Sequence, residues 1–283
     1  MSDPFHALEE TVTADVTRAL AEDVGVGDLT AALVPRDKTC AARLLTRQDA
    51  ILCGVEWFNR TVEELDPEAE IFWHFEDGDE VMAGTQLCEV EGKARSLLTA
   101  ERTALNFVQM LSGVATRTNR FVKAVAGTRA RIYDTRKTLP GLRIAQKYAV
   151  RAGGGSNHRI GLHDGILIKE NHILAAGGIR AALEEARHVA DPGTMVEVEV
   201  ENLAQLAEAL DAGAKLVLLD NFDIVGLRSA VEATAGRAEL EASGGVSLEN
   251  VRAIAETGVD RISIGSLTKD VVAIDLSMRF IHR

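Results

Sequence analysis

Apolar and polar positions follow two different rhythms along this chain. Over residues 5–22, Leu8, Val12, Val16 and Leu20 recur every four positions, which lays them on one stripe of a helix that stops at Gly25-Val26-Gly27-Asp28. Short strands are predicted at 41–46 and 71–75, on either side of a helix over 55–65 whose apolar face carries Trp57, Phe58 and Leu65. Asp77-Gly78-Asp79-Glu80 and Ala83-Gly84-Thr85 mark turns around further short strands, the last near 86–90. Two longer helices follow, over 96–111 and 114–125, the first carrying Arg102. After Gly127 the rhythm changes to an alternation of strand and helix. Strands are expected near 131–136, 166–170, 195–200, 215–220, 238–243 and 261–266, and helices over 141–151, 178–189, 203–212, 224–234 and 248–256.

That alternation predicts parallel strands joined by crossover helices. Six strands fall short of the eight that close a barrel. The fold class is α/β with an N-terminal α/β sandwich-like domain, and either further strands escape the pattern or the chain forms an open, incomplete α/β barrel whose gap another domain covers. The expected division is 1–112 for the mixed N-terminal domain, 113–270 for the barrel with the active site, and 271–283 for a C-terminal segment. Within that segment, 275–281 reads as a last strand returning to the N-terminal domain.

The strand ends carry the chemistry. Ile132-Tyr133-Asp134-Thr135-Arg136-Lys137 ends a β-branched run in two adjacent cations, and Lys169, Glu199 and Asp220 stand at the ends of the next three runs. Any one of these has a structural explanation, since an isolated surface ion pair contributes only about 0–1 kcal/mol. Their succession does not, because barrels build active sites at the C-terminal edge of their strands. The last two strands end in Ser243-Gly244-Gly245 and Ile264-Gly265-Ser266, small residues that let backbone N–H groups approach a phosphate. Ala152-Gly153-Gly154-Gly155-Ser156-Asn157-His158-Arg159 reads as a ligand clamp or a connection, with His158 and Arg159 favouring the clamp. His158, His163 and His172 share one segment, but their spacing fits no zinc pattern. The hard carboxylates Glu199 and Asp220 suit Mg²⁺, which keeps several waters and binds together with substrate phosphates.

Composition narrows the partners. A net charge of −12 over 283 residues argues against nucleic acid or an anionic membrane, both of which need a basic face. No apolar run approaches the roughly 20 residues of a membrane helix, and the acidic start lacks the form of a signal peptide, so a cytoplasmic protein is expected. Cys40, Cys53 and Cys88 are odd in number and widely spaced, and read as buried thiols.

Taken together, Thr135-Arg136-Lys137-Thr138, Asn157-His158-Arg159, Lys169-Glu170-Asn171-His172, Glu197-Val198-Glu199-Val200-Glu201, Leu219-Asp220-Asn221 and Ser243-Gly244 resemble the successive motifs of the quinolinate phosphoribosyltransferases, the carboxylating nicotinate-nucleotide pyrophosphorylases. The resemblance extends from Ala21-Glu22-Asp23 and Gly27-Asp28-Leu29-Thr30 to Asp275-Leu276-Ser277-Met278-Arg279-Phe280. It implies a seven-stranded open barrel, one strand more than the pattern yields, in a homodimer whose Arg102 helix completes the partner's site. The implied activity is pentosyl transfer from phosphoribosyl pyrophosphate to quinolinate with decarboxylation, giving nicotinate mononucleotide for NAD biosynthesis.

The residues suit those ligands. Arg102, Arg136, Arg159, Lys169 and His158 would neutralise a pyridine dicarboxylate, with arginine forks supplying paired hydrogen bonds. Thr135, Lys137, the glycine loops and Mg²⁺ would hold the pyrophosphate and sugar, and Lys137, Lys169, Glu199 and Asp220 form the expected catalytic set. Two rivals remain at this level: a Schiff-base aldolase acting through Lys169, and a non-catalytic barrel relative that binds a ligand. No role follows from the sequence for His163, His172 or Glu201.

Overall fold

A computed structural model describes residues 8–281. The start of the first predicted helix, Phe5 to Ala7, lies outside them. In chain order the elements are α1 (Leu8–Val24), β1 (Thr39–Thr46), β2 (Ala50–Ile51), α2 (Val55–Leu65), β3 (Glu70–Trp73), β4 (Glu80–Val81), β5 (Gln86–Lys93) and α3 (Ala94–Ala124). There follow β6 (Arg131–Tyr133), α4 (Arg143–Ala152), β7 (Gly165–Ile168), α5 (Glu170–Ala176), α6 (Ile179–Val189), β8 (Met195–Val200), α7 (Leu203–Asp211) and β9 (Leu216–Asp220). The chain ends with α8 (Ile224–Thr234), β10 (Glu239–Ser243), α9 (Val251–Ala255), β11 (Arg261–Ser263), α10 (Ser266–Lys269) and β12 (Leu276–Ile281). None of the described helices is long and apolar enough to cross a membrane.

Two compact units emerge, one formed by Arg120–Thr138 and Gly155–Ser266, the other by the described residues of Pro4–Asn119, Leu139–Gly154 and Leu267–Arg283. In the second unit an antiparallel sheet runs β12-β1-β5-β3. β12 pairs with β1 from Ala41↔Ile281 to Thr46↔Leu276, so the C-terminal segment does return to the N-terminal sheet. Leu44, Phe58, Leu87, Leu97 and Leu105 are buried together between that sheet and the helices, each contributing about 1.5–3 kcal/mol of burial. Asp77, part of a predicted turn, proves to cap α2: its Oδ1 accepts from the N–H groups of Gly54 and Val55 at 2.9 and 3.2 Å, and Tyr148 donates its hydroxyl to Oδ2 at 2.9 Å.

The helix pair expected at 96–111 and 114–125 is a single 31-residue helix, α3. Ser112-Gly113 reads as a break in the sequence, but it serves packing. The Ser112 hydroxyl donates to the Cys53 carbonyl at 3.0 Å and accepts from its N–H at 2.8 Å. A Cβ at Gly113 would lie 2.2 Å from the Val272 carbonyl oxygen, so glycine is there to admit that backbone.

In the first unit six parallel strands pair in the order β6-β11-β10-β9-β8-β7. An isolated parallel bridge between Tyr133 and Ser156 adds one residue pair beyond β6, the trace of a seventh strand. The sheet is thus an open α/β barrel. Two strands are shorter than predicted: β6 stops at Tyr133, before the polar Asp134-Thr135-Arg136-Lys137, and β11 stops at Ser263. The helix α5 was not anticipated, since Gly177-Gly178 cuts it to seven residues.

Candidate active site

Side chains alternate across a strand, so a residue at a strand's tip shares its face with the residue two before it. Lys169, one step past β7 with extended backbone, thus stands above Leu167, Glu199 above Glu197, Asp220 above Leu218 and Ser243 above Glu241. All of these except Glu197 line a cavity of about 360 Å³ within the first unit. Of the predicted residues, Thr135, Arg136, Lys137, His158, Arg159, Lys169, Glu199, Asp220 and Ser243 line it, and Leu167, Leu218, Glu241 and Ser263 complete the wall.

One edge of the cavity is set by Asp134, a fully buried residue that the motif reading passed over. Its Oδ1 accepts from the His158 backbone N–H at 2.9 Å and its Oδ2 from the Asn157 amide at 2.6 Å. The loop after Ser156 is therefore clamped to the end of β6, which brings Arg159 beside Arg136. Burial lowers the Arg159 pKa, and the nearby Arg136 charge lowers it further. Two cations driven together this way suit an anion between them. Arg159 is also anchored by donating from Nη1 to the Gly165 carbonyl at 2.9 Å.

His158 is placed differently from the expectation. It lines the cavity, but the Arg159 N–H donates to its Nδ1 at 2.8 Å and its Nε2 lies 2.7 Å from Glu197 Oε2. A nitrogen that accepts a hydrogen bond carries no proton, so the proton sits on Nε2 and points at Glu197. Both ring nitrogens are committed within the protein, and His158 contributes ring surface and position to the pocket in place of a free donor to a carboxylate. The same tautomer leaves Nε2 without a lone pair for a metal, although His158, Glu197 and Glu241 offer ligand atoms within 4.8 Å of one another. Glu197 and Glu241 are both fully buried beneath the strand tips, and burial, acting first, raises each pKa to about 7.

At the ends of the adjacent strands β7 and β8, Lys169 Nζ lies 2.5 Å from Glu199 Oε2. The Asn221 amide donates to Asp220 Oδ2 at 2.9 Å. Glu199 and Asp220 so keep one further oxygen each for a hard cation or a ribose hydroxyl. Asn221 has a left-handed backbone, φ 56°, and its side chain crowds Gly244, where a Cβ would fall 2.1 Å from Asn221 Oδ1. Gly244 itself has φ +100°, so only glycine suits both the turn and the contact.

The two glycine loops are unequal. Asn250 closes the Gly245 turn by donating its amide to the Gly245 carbonyl at 2.9 Å. At the other loop, a Cβ on Gly265 would lie 2.9 Å from Lys137 Cδ, so this glycine lets Lys137 lie against the loop. Ile264 corrects the sequence reading. Its side chain is buried and its N–H donates to the Tyr133 carbonyl at 2.9 Å, so it belongs to the sheet and offers nothing to a phosphate. Ser266 begins the four-residue α10.

Arg102 stands exposed on α3, in the second unit. Among the histidines without an assigned role, His163 is exposed and His172 accepts the Lys169 N–H at Nδ1, 2.9 Å away, fixing the turn into α5. Glu201 is exposed, and its N–H donates to Gln205 Oε1 at 2.7 Å. Signals for the missed residues existed. With Glu199 and Ser243 facing the cavity, strand alternation puts Glu197 and Glu241 on the same faces one layer lower, where Glu241 reaches the cavity wall.

Comparison with known proteins finds one family over nearly the whole chain. Residues 28–112 match the family described as quinolinate phosphoribosyl transferase, N-terminal domain, and residues 114–279 match its C-terminal domain. A nicotinate-nucleotide pyrophosphorylase (carboxylating) of Mycobacterium leprae is 43% identical over 281 residues, covering 97% of each chain. A probable nicotinate-nucleotide pyrophosphorylase (carboxylating) of Bacillus subtilis is 42% identical over 257 residues, 91% of this chain and 89% of that one. Among solved structures, the nicotinate-nucleotide pyrophosphorylase from Francisella tularensis superposes with a TM-score of 0.94 at 48% identity, covering 96% of this chain and 97% of that one.

Proposed function

The chain belongs to the quinolinate phosphoribosyltransferase family, and from that premise we propose that it transfers the phosphoribosyl group of phosphoribosyl pyrophosphate to quinolinate with loss of CO₂. The products are nicotinate mononucleotide, for NAD biosynthesis, and pyrophosphate. The observation that carries this reading is the convergence of Arg136, Arg159 and Lys169 on one cavity that also bears Glu199 and Asp220. The cations suit the two adjacent carboxylates of quinolinate, arginine by paired hydrogen bonds and lysine as a point charge. The carboxylates suit the positive charge that develops on the ribose ring as pyrophosphate departs. Loss of CO₂ then leaves its electron pair on the ring carbon beside the quaternised nitrogen, whose positive charge stabilises it.

Mg²⁺ belongs to this proposal. Glu199 and Asp220 are hard donors on one wall, each with an oxygen beyond those held by Lys169 and Asn221. When bound, the ion would screen the charge of the pyrophosphate. Lys137, laid against Gly265, would reach the same group. The aldolase reading is disfavoured by the 2.5 Å contact with Glu199, which occupies the Lys169 Nζ that a carbonyl would have to reach.

Discrimination between related substrates tests the recognition step. Nicotinate lacks the second carboxylate and would leave partly buried cations unpaired, a loss on the order of 2–5 kcal/mol. Its kcat/KM is expected to fall at least about thirtyfold below that of quinolinate, and comparable values would exclude the proposed pocket.

The proposal extends to a homodimer in which Arg102 completes the partner's site. Mixing inactive Arg102→Ala subunits with inactive Lys137→Ala subunits is expected to restore part of the activity, because some mixed dimers regain one intact composite site. Demonstrated subunit exchange without any recovery of activity would refute the shared site.

A further inference from the structure

Losing CO₂ from the ribosylated ring leaves unfinished chemistry. The bond between the carboxylate and the ring carbon beside the quaternised nitrogen breaks, and its electron pair stays on that carbon. A proton must then arrive to form the C–H bond of the product. The residues assigned so far supply charge and orientation, but none supplies this proton.

Three carboxyl groups line the cavity: Glu199, Asp220 and Glu241. Two of them are tied as acceptors, Glu199 to Lys169 at 2.5 Å and Asp220 to the Asn221 amide at 2.9 Å. Glu241 is different. It is fully buried at the floor, one layer below the strand tips, and neither carboxylate oxygen meets hydrogen-bond geometry with any described residue, although the Ser263 hydroxyl stands near enough to act on its charge. An ionised carboxylate without donors in such a place costs several kcal/mol, whereas the protonated acid does not. We propose that Glu241 is the acid that protonates the ring carbon after CO₂ leaves, an inference that rests on the phosphoribosyl transfer reading.

The surroundings agree with that role. Burial acts first and the Glu197 carboxylate second to raise the Glu241 pKa to about 7, while His158, the Ser263 hydroxyl and the Arg261 guanidinium pull it back. From β8 it is faced by Glu197, from the loop after Ser156 by the His158 ring with Nε2 at 3.9 Å, and from β11 by Ser263 and Arg261. On β9 the residue at its level is the apolar Leu218. An acid with a pKa near 7 is suited to give up a proton to a carbanion at neutral pH. The step balances: the proton passes from the Glu241 carboxyl to the ring carbon, Glu241 becomes a carboxylate, and solvent restores its proton once product has left.

Rapid-quench single turnovers with carboxyl-labelled quinolinate, phosphoribosyl pyrophosphate and Mg²⁺ test the assignment. In Glu241→Gln, which keeps the shape but not the acid, the rate of product and CO₂ formation relative to pyrophosphate formation is expected to drop at least about tenfold, with a dicarboxylated nucleotide accumulating. An unchanged ratio, whether both rates hold or fall together, would overturn it. Should the variant fail to fold, the parent protein decides by its pH profile. The CO₂ rate is expected to decline as pH rises through about 7, because the acid form is lost, and a flat profile from about pH 6 to 8.5 contradicts the proposal. A parent protein that releases no pyrophosphate would overturn phosphoribosyl transfer itself, and this inference with it.

Discussion

Glu199→Gln and Asp220→Asn are each expected to lower turnover by about a hundredfold or more, with much smaller effects on the Michaelis constants. Both carboxylates sit at strand tips on the cavity wall, and both retain an oxygen that no donor among the described residues holds. The charge they answer appears only as the bond to pyrophosphate breaks, so removing one of them takes away stabilisation that the ground state never had. A single electrostatic group of this kind contributes about 3–4 kcal/mol, and a loss confined to the transition state lowers kcat and kcat/KM together. Steady-state kinetics at saturating Mg²⁺ make the check. Near-normal turnover in both variants would reduce these residues to rim charges.

Lys169→Ala is expected to act on the other substrate. The lysine ends β7 next to the Arg136 and Arg159 pair, and its departure leaves a cation-poor wall and an unpaired Glu199 facing the incoming dicarboxylate. Breaking such a partly buried pair costs roughly 2–5 kcal/mol, so the Michaelis constant for quinolinate should rise at least about thirtyfold. The constant for phosphoribosyl pyrophosphate should move far less. Equal weakening of both substrates would mean that Lys169 serves the charge balance of the whole cavity and not one pocket.

How far the sequence foretold this site depended on which signal each residue leaves. Strand tips are legible because an apolar run that ends in a charge stands out, and Arg136, Lys169, Glu199 and Asp220 all proved to line one cavity. Buried polar residues inside a run leave a fainter mark. Glu197 and Glu241 were hidden between apolar neighbours, and only the period-two alternation, applied from the tip inward, exposes them. Asp134 leaves no mark of its own in the sequence beside Thr135 and Arg136, because only the fold shows that it is buried. His158 and Ile264 misled for one shared reason: a residue type suited to a ligand had already spent its hydrogen bonds on the protein. The continuity of α3 was beyond local reading, since Ser112-Gly113 looks like a helix end until the Val272 backbone that Gly113 admits is known. Similarly, the sixth parallel strand and the Ser156 bridge could be separated only by hydrogen bonding, because a single bridged pair has no periodicity to detect.

The most direct test of phosphoribosyl transfer to quinolinate is a product balance on the purified protein. Quinolinate labelled in the carboxylate next to the ring nitrogen, phosphoribosyl pyrophosphate and Mg²⁺ should give nicotinate mononucleotide, pyrophosphate and labelled CO₂ in equal amounts. Retention of the label in the nucleotide, or turnover of quinolinate without pyrophosphate, would contradict the account.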